Sequence, residues 1–141
     1  KLKGEVNGLR LKGKIDRIDI KRLREENGEV VALIDYKTGS ALSSIDSLQL
    51  PLYAALWQSN PPLLKGGFVE KVGFYSLKDG HIDWYPRKTT IKDFIEEALT
   101  EAKSLVAGMR EGRFSTESVK DDSCYGCHHR ALCGRTYGKL S

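Results

Sequence analysis

The stretch that most limits what this chain can fold into is VVALIDYKTG, Val30 to Gly39. Val30 to Ile34 contains no polar residue, and Asp35, Tyr36, Lys37, Thr38 and Gly39 follow at once. An apolar run without alternation belongs to a strand covered on both faces, near the middle of a sheet. Residues two apart in a strand point to the same side. Asp35 and Lys37 therefore share one space, with Tyr36 turned away. A buried strand that ends this way delivers an anion and a cation to one edge of the sheet. Taken alone, D-x-K equally fits a surface ion pair at a strand terminus. Gly39 allows a close backbone approach or a turn that bulkier residues resist.

The neighbouring segments give this strand its company. From Leu9 to Ile15 apolar and basic residues alternate, as in a half-buried strand. The phase then slips to Ile18 and Ile20, which fits a bulge or bend at Asp16 and Arg17, or a plain strand end. Asn27-Gly28 is a hairpin signal, so this strand and the Val30 strand are expected to lie antiparallel. A two-residue turn there sets Asp16 opposite Gly39. A four-residue loop, Glu25 to Gly28, sets it opposite Lys37, and a site shared by the two acids requires the longer loop. SIDSLQLPLYAALWQS reads as a helix capped by Ser47, with Pro51 tolerated in its first turn. Leu48, Leu52, Ala55 and Leu56 form its buried stripe, and Gln49 and Tyr53, four apart, share a face. KVGFYSL and HIDWYP, split by Lys78-Asp79-Gly80, read as a second hairpin. An amphipathic helix follows from Thr89 or Thr90 to Met109, with Ile91, Phe94, Ile95, Ala98, Ala102, Leu105 and Met109 at helical spacing. Trp57, Trp84 and His81 are read as structural.

The chain has 141 residues, 40% hydrophobic and 30% charged, which suits a globular domain able to bury a core. No apolar run approaches the roughly 20 residues that span a bilayer, and no signal-peptide pattern is present. The expectation is a soluble, cytoplasmic protein without a membrane partner. Opening on Lys1 is expected of a piece of something longer. The net charge of +4 permits a nucleic-acid partner without demanding one. Lys1, Lys3, Arg10, Lys12, Lys14, Arg17, Lys21, Arg22 and Arg24 crowd the start. Arg10 to Arg17 is read as a basic strand face on the side of Asp16, able to carry backbone phosphates.

Two carboxylates that converge on one point suit a hard divalent cation such as Mg²⁺, which prefers oxygen ligands and keeps several waters. A lysine beside them can position an attacking water or steady developing charge. The residues thus outline a site for phosphodiester hydrolysis.

GKIDRID, then VVALIDYKTG, then QLPLYA resembles the PD-(D/E)XK nuclease superfamily, most closely its RecB-like and AddB-like branch. The resemblance implies an α/β, restriction-endonuclease-like core, a mixed β-sheet flanked by helices. It implies that Asp16 and Asp35 bind Mg²⁺ or Mn²⁺ with the backbone carbonyl of Tyr36, and that Lys37 works on the attacking water. Gln49 and Tyr53 then line the site near DNA. The branch's first motif, an acid or histidine on an earlier helix, has no clear counterpart, Glu5 being the only nearby acid. Residues 1–115 are read as a nuclease core lacking that helix, and 116–141 as a cysteine-containing tail.

The tail carries Cys124, Cys127 and Cys133 in the spacing C-x₂-C-x₅-C. Three cysteines crowded at one end make a poor disulfide framework and point to metal. One alternative is zinc held by three thiolates with His128 or His129; another is three free thiols. A short helix is expected around His129 to Leu132. In the AddB-like and CRISPR-associated exonuclease relatives, such a trio joins a fourth, upstream cysteine around a 4Fe–4S cluster, which the resemblance implies for the intact protein. The function expected is metal-dependent DNA cleavage, of exonuclease type, in recombinational double-strand-break repair beside a helicase–nuclease partner subunit. The alternatives are a CRISPR-associated exonuclease-like protein, a DNA-binding module of the same fold that does not cut, and a small zinc-tailed interaction domain.

Overall fold

A computed structural model of the chain describes residues 1–22, 29–39, 47–60, 67–114 and 127–129. The elements in order are β1 (Leu2–Val6), β2 (Leu9–Gly13), β3 (Arg17–Arg22), β4 (Glu29–Lys37), α1 (Gln49–Gln58), β5 (Gly67–Ser76), β6 (His81–Tyr85) and α2 (Ile91–Arg110). The chain divides into two compact units, Lys1–Ser104 and Leu105–Ser141. The first holds the sheets, α1 and most of α2. Of the second, the end of α2, residues 111–114 and residues 127–129 are described.

The main sheet has four strands in the order β3-β4-β5-β6. It is mixed: β4 and β5 run parallel, while β3–β4 and β5–β6 are antiparallel. β4 is buried continuously from Val30 to Asp35, so both faces of this strand are covered, as its unbroken apolar run requires. Leu33, Ile34, Val69 and Val72 have no exposed surface, and Phe74 almost none. A parallel neighbour cannot follow through a tight turn, and α1 lies in the crossover from β4 to β5.

The segment expected as one strand from Leu9 to Ile15 ends at Gly13 and belongs to a separate hairpin with β1. The turn between β1 and β2 is Asn7-Gly8. Both residues have positive φ, 50° and 80°, as a tight two-residue hairpin turn requires. The hairpin packs against α1. The apparent phase slip at Asp16 is thus the passage from one sheet to another. It also breaks up the expected basic face: Arg10 and Lys12 lie in β2, whereas Arg17 lies in β3.

The β3–β4 pairing is antiparallel as expected, but its register differs. Arg17 pairs with Ile34 and Arg22 with Glu29, with residues 23–28 between the strands. One step beyond the Arg17 pair, Asp16 comes level with Asp35 rather than with Lys37. The connection is longer than the two-residue turn that Asn27-Gly28 signals and longer than the four-residue loop expected for a shared site, and that dipeptide falls outside the described residues.

α1 begins at Gln49, and the Ser47 hydroxyl accepts a hydrogen bond from the Gln49 N–H at 3.2 Å. That serves one of the donors a helix start leaves open, although Leu48 holds the cap position itself. The buried residues are Leu50, Pro51, Ala54, Ala55, Leu56 and Trp57, so Leu48 and Leu52 of the expected stripe are only partly covered. β5 and β6 form the expected hairpin, and Trp84 is half-buried with the Lys71 ammonium 4.1 Å from its ring centre. α2 is started by Thr90, whose hydroxyl accepts from the Asp93 N–H at 3.1 Å and donates to the Asp93 carboxylate at 2.7 Å. Ile95, Ala98, Leu99 and Ala102 are its buried residues; Leu105 and Met109, expected in the stripe, are exposed.

Candidate active site

The end of β4 sets the site. Asp35 is 5% exposed, which would be costly for an unpaired carboxylate. Its cost is offset by two partners. The Lys37 ammonium lies 2.8 Å from Asp35 Oδ2, and the Gln49 amide donates to Asp35 Oδ1 at 2.9 Å. Gln49 turns its carbonyl to Lys37 Nζ at 2.8 Å, so one side chain grips both charges. Its amide nitrogen also lies 3.1 Å from the Tyr53 hydroxyl, one helical turn on. The stem of Lys37 runs over Phe74, placing Nζ 4.8 Å from the ring centre. Asp35, Lys37, Gln49 and Tyr53 thus form one connected network on one face of the sheet.

Asp16 reaches the same strand end from the other side. Its Oδ2 accepts a hydrogen bond from the Tyr36 N–H at 3.2 Å. The alternation of backbone groups along a strand explains why this donor is offered. The Lys37 carbonyl accepts from Leu77 N–H at 2.9 Å, on the β5 side. The N–H and C=O of Tyr36 therefore leave on the β3 side, where β3 has already ended. The Tyr36 carbonyl accordingly shares its side of β4 with Asp16.

Arg17, one residue on, points to the opposite face. It pairs in register with Ile34, and its guanidinium makes two 2.8 Å hydrogen bonds to Asp19. That contact, and a further one with the Tyr36 phenol, push its pKa upward, so it is a permanent cation. It is not available to the Asp35 face, which corrects the expectation that Arg10 to Arg17 forms one basic track beside Asp16.

Gly13 is the glycine of the GKID step, and the packing of Tyr53 explains it. A Cβ placed on Gly13 would lie 2.5 Å from Tyr53 Cε1 and 3.0 Å from Cδ1. The edge of the Tyr53 ring thus occupies the space a side chain at Gly13 would need, and the position of its hydroxyl on Gln49 depends on that clearance.

Glu5 is exposed in β1, level with Arg10. Cys124, Cys133 and the helix expected at His129 to Leu132 lie at least in part outside the described residues. Cys127, His128 and His129 are exposed. Among the described residues no group of three or more His, Cys, Asp and Glu side chains gathers as a metal site. The donors at the strand end are two carboxylates and a backbone carbonyl. That all-oxygen set suits a hard divalent cation that keeps several waters, and it is unsuited to a softer metal.

The mixed sheet and the acid–lysine strand end define a restriction-endonuclease-like α/β domain. The family model of the PD-(D/E)XK nuclease superfamily matches residues 2–134, and the chain belongs to that superfamily. Members of it are usually nucleases that commonly use Mg²⁺ or Mn²⁺. Searches of curated proteins and of solved structures return no significant match.

Proposed function

We infer that this domain is a divalent-metal-dependent deoxyribonuclease, of exonuclease type, that serves recombinational repair beside a helicase–nuclease partner subunit in the cytoplasm. The observation that carries the cleavage reading is the network Asp35–Lys37–Gln49–Tyr53 with Asp16 at the same strand end. Asp16, Asp35 and the Tyr36 carbonyl would hold Mg²⁺ or Mn²⁺, which acidifies a bound water and neutralises charge on the phosphate. The chain's own residues do the rest. Lys37 holds the attacking water and steadies the oxygen on which negative charge grows. Gln49 fixes the Lys37 ammonium by its carbonyl and the Asp35 carboxylate by its amide. Tyr53, seated on Gly13, keeps the Gln49 amide from rotating. The repair role, the AddB-like relationship and a 4Fe–4S cluster on Cys124, Cys127, Cys133 and an upstream cysteine rest on the motif resemblance alone.

The test is incubation with single-stranded DNA and Mg²⁺ or Mn²⁺, for the wild type and for Asp35→Ala and Lys37→Ala. Cleavage by the wild type that both substitutions abolish is expected. DNA retention without cleavage would make this a binding module, and no DNA binding even at low salt, where phosphate contacts are strongest, would overturn the reading altogether. For the tail, iron and acid-labile sulfide in the full-length protein are expected, and zinc in their place would refute the cluster.

A further inference from the structure

Across the main sheet, on the face of Asp35, the registers build a second charged group. Asp35 is level with Phe74 on β5, and Phe74 with Asp83 on β6. One step toward the strand end, Lys37 is level with Ser76, and Ser76 with His81. Asp83 is mostly covered, its side chain 15% exposed, and it is gripped twice. Arg87 Nη2 lies 2.7 Å from its Oδ1, and His81 Nε2 lies 3.3 Å from its Oδ2. Arg87 reaches back along the sheet to make this contact, its guanidinium carbon 5.4 Å from the centre of the Tyr85 ring. The side chains of His81 and Arg87 remain 56% and 54% exposed. The acid is thus mostly covered, and the two nitrogen-bearing groups that hold it face water.

The spacing is suited to one particular ligand. β4 and β6 are separated by β5, so the two groups stand about 10 Å apart at about 4.8 Å per strand. Successive phosphates of one strand lie farther apart than the helical rise of about 3.4 Å per nucleotide, so this gap spans at most about three nucleotides. Ser76 between them is fully buried and tied into the turn: Asp79 N–H donates to its hydroxyl at 3.1 Å, and the hydroxyl lies 2.7 Å from the Asp79 carboxylate. A guanidinium that spends one nitrogen on Asp83 retains other donors in its planar fork, which matches phosphate oxygens. An imidazole with a proton on each nitrogen can keep Nε2 on Asp83 and donate to a phosphate from Nδ1.

We propose that Arg87 and His81, anchored on Asp83, bind a backbone phosphate of the DNA strand within about three nucleotides of the bond cut beside Lys37. This rests on the nuclease reading above. The strand then runs across the ends of β4, β5 and β6, perpendicular to them, and the second contact sets its direction over the site. The Asp79 carboxylate, 2.7 Å from the Ser76 hydroxyl, stands between the two groups, and the strand must pass it.

The test is fluorescence anisotropy of labelled oligothymidylates of increasing length, without divalent metal, over a range of salt. Arg87→Gln and His81→Ala are compared with the wild type and with Lys103→Gln, which removes a charge elsewhere, on α2. Each of the two substitutions at the anchor is expected to weaken binding of long oligonucleotides roughly three- to tenfold and to lower the salt slope by about 0.7, the share of one single-strand phosphate contact. The loss should grow with length up to the strand that spans both groups. A mere loss of folding lowers all lengths alike and shows as a lowered melting temperature, and His81, more than half exposed, gives a variant with little folding cost. Wild-type affinity and salt slope in both variants would overturn the proposal. If Asp35→Ala still abolishes cleavage in that case, the nuclease reading stands without it. A wild type that binds no oligonucleotide at low salt overturns both.

Discussion

Replacing Gly13 by alanine tests how the site is propped from behind. An added methyl group would sit 2.5 Å from Tyr53 Cε1, where ordinary contact begins at 3.4 Å, so the ring edge must retreat by 0.9 Å. The hydroxyl of Tyr53 is 3.1 Å from the Gln49 amide. A retreat of that size along the bond takes it to about 4 Å, beyond hydrogen-bonding reach. The backbone of Gly13 is not in the left-handed region, so alanine has no conformational penalty there. By the effect on the unfolded chain alone, the substitution would stabilise by about 0.4–1 kcal/mol. Overpacking costs about 1–3 kcal/mol, so a net destabilisation of about 1–2 kcal/mol is expected, with cleavage also reduced through Tyr53 and Gln49. Urea unfolding measures the first as a lower midpoint at unchanged slope. The decisive comparison is the Tyr53→Ala background, where the ring is absent and Gly13→Ala should become neutral or stabilising. A cost under about 0.5 kcal/mol in the wild type, or the same cost in both backgrounds, would refute the account of Gly13.

Three further outcomes follow from the same contacts. Asp16→Asn keeps an oxygen for the Tyr36 N–H and should fold as well as wild type while losing metal-dependent cleavage; Asp16→Ala should also lose about 1 kcal/mol in denaturant unfolding. Gln49→Leu removes the grip on Lys37 and Asp35, and single-turnover cleavage should fall about 10- to 100-fold, the worth of one charge-assisted hydrogen bond of about 1.5–3 kcal/mol. Thr90→Ala removes the N-terminal cap of α2 and should cost about 1 kcal/mol in thermal or denaturant unfolding, with cleavage by the folded protein unchanged.

Much of the site could be read from the sequence because its parts are local. Asp35 and Lys37 share a face by the period of a strand, and Gln49 and Tyr53 share one by the period of a helix. Neither depends on a distant partner. The level of Asp16 depends on where β3 stops and how many residues the loop 23–28 holds, and a turn signal such as Asn27-Gly28 does not fix that count. The β1–β2 hairpin was announced by Asn7-Gly8 just as clearly, but its short strands alternate in phase with the residues up to Ile15 and merge with them. The reason for Gly13, and the meeting of Arg87, His81 and Asp83, were beyond any local pattern. The first requires α1 to lay a tyrosine on β2, and the second requires Arg87 to fold back over Tyr85.

The position of β3 at the border of the described sheet has a consequence for the molecule in solution. One side of this strand has no partner among the described strands, and two isoleucines, Ile18 and Ile20, are 41% and 57% exposed along it. Such a border invites a foreign strand to add to it. Alternating with the isoleucines are Arg17, Asp19 and Lys21, and Arg22 closes the row. Bringing a second copy alongside would crowd like charges and strip water from ammonium and guanidinium groups. The charges of β3 therefore oppose the pairing of two copies along this border, whatever they contribute to holding a polyanion.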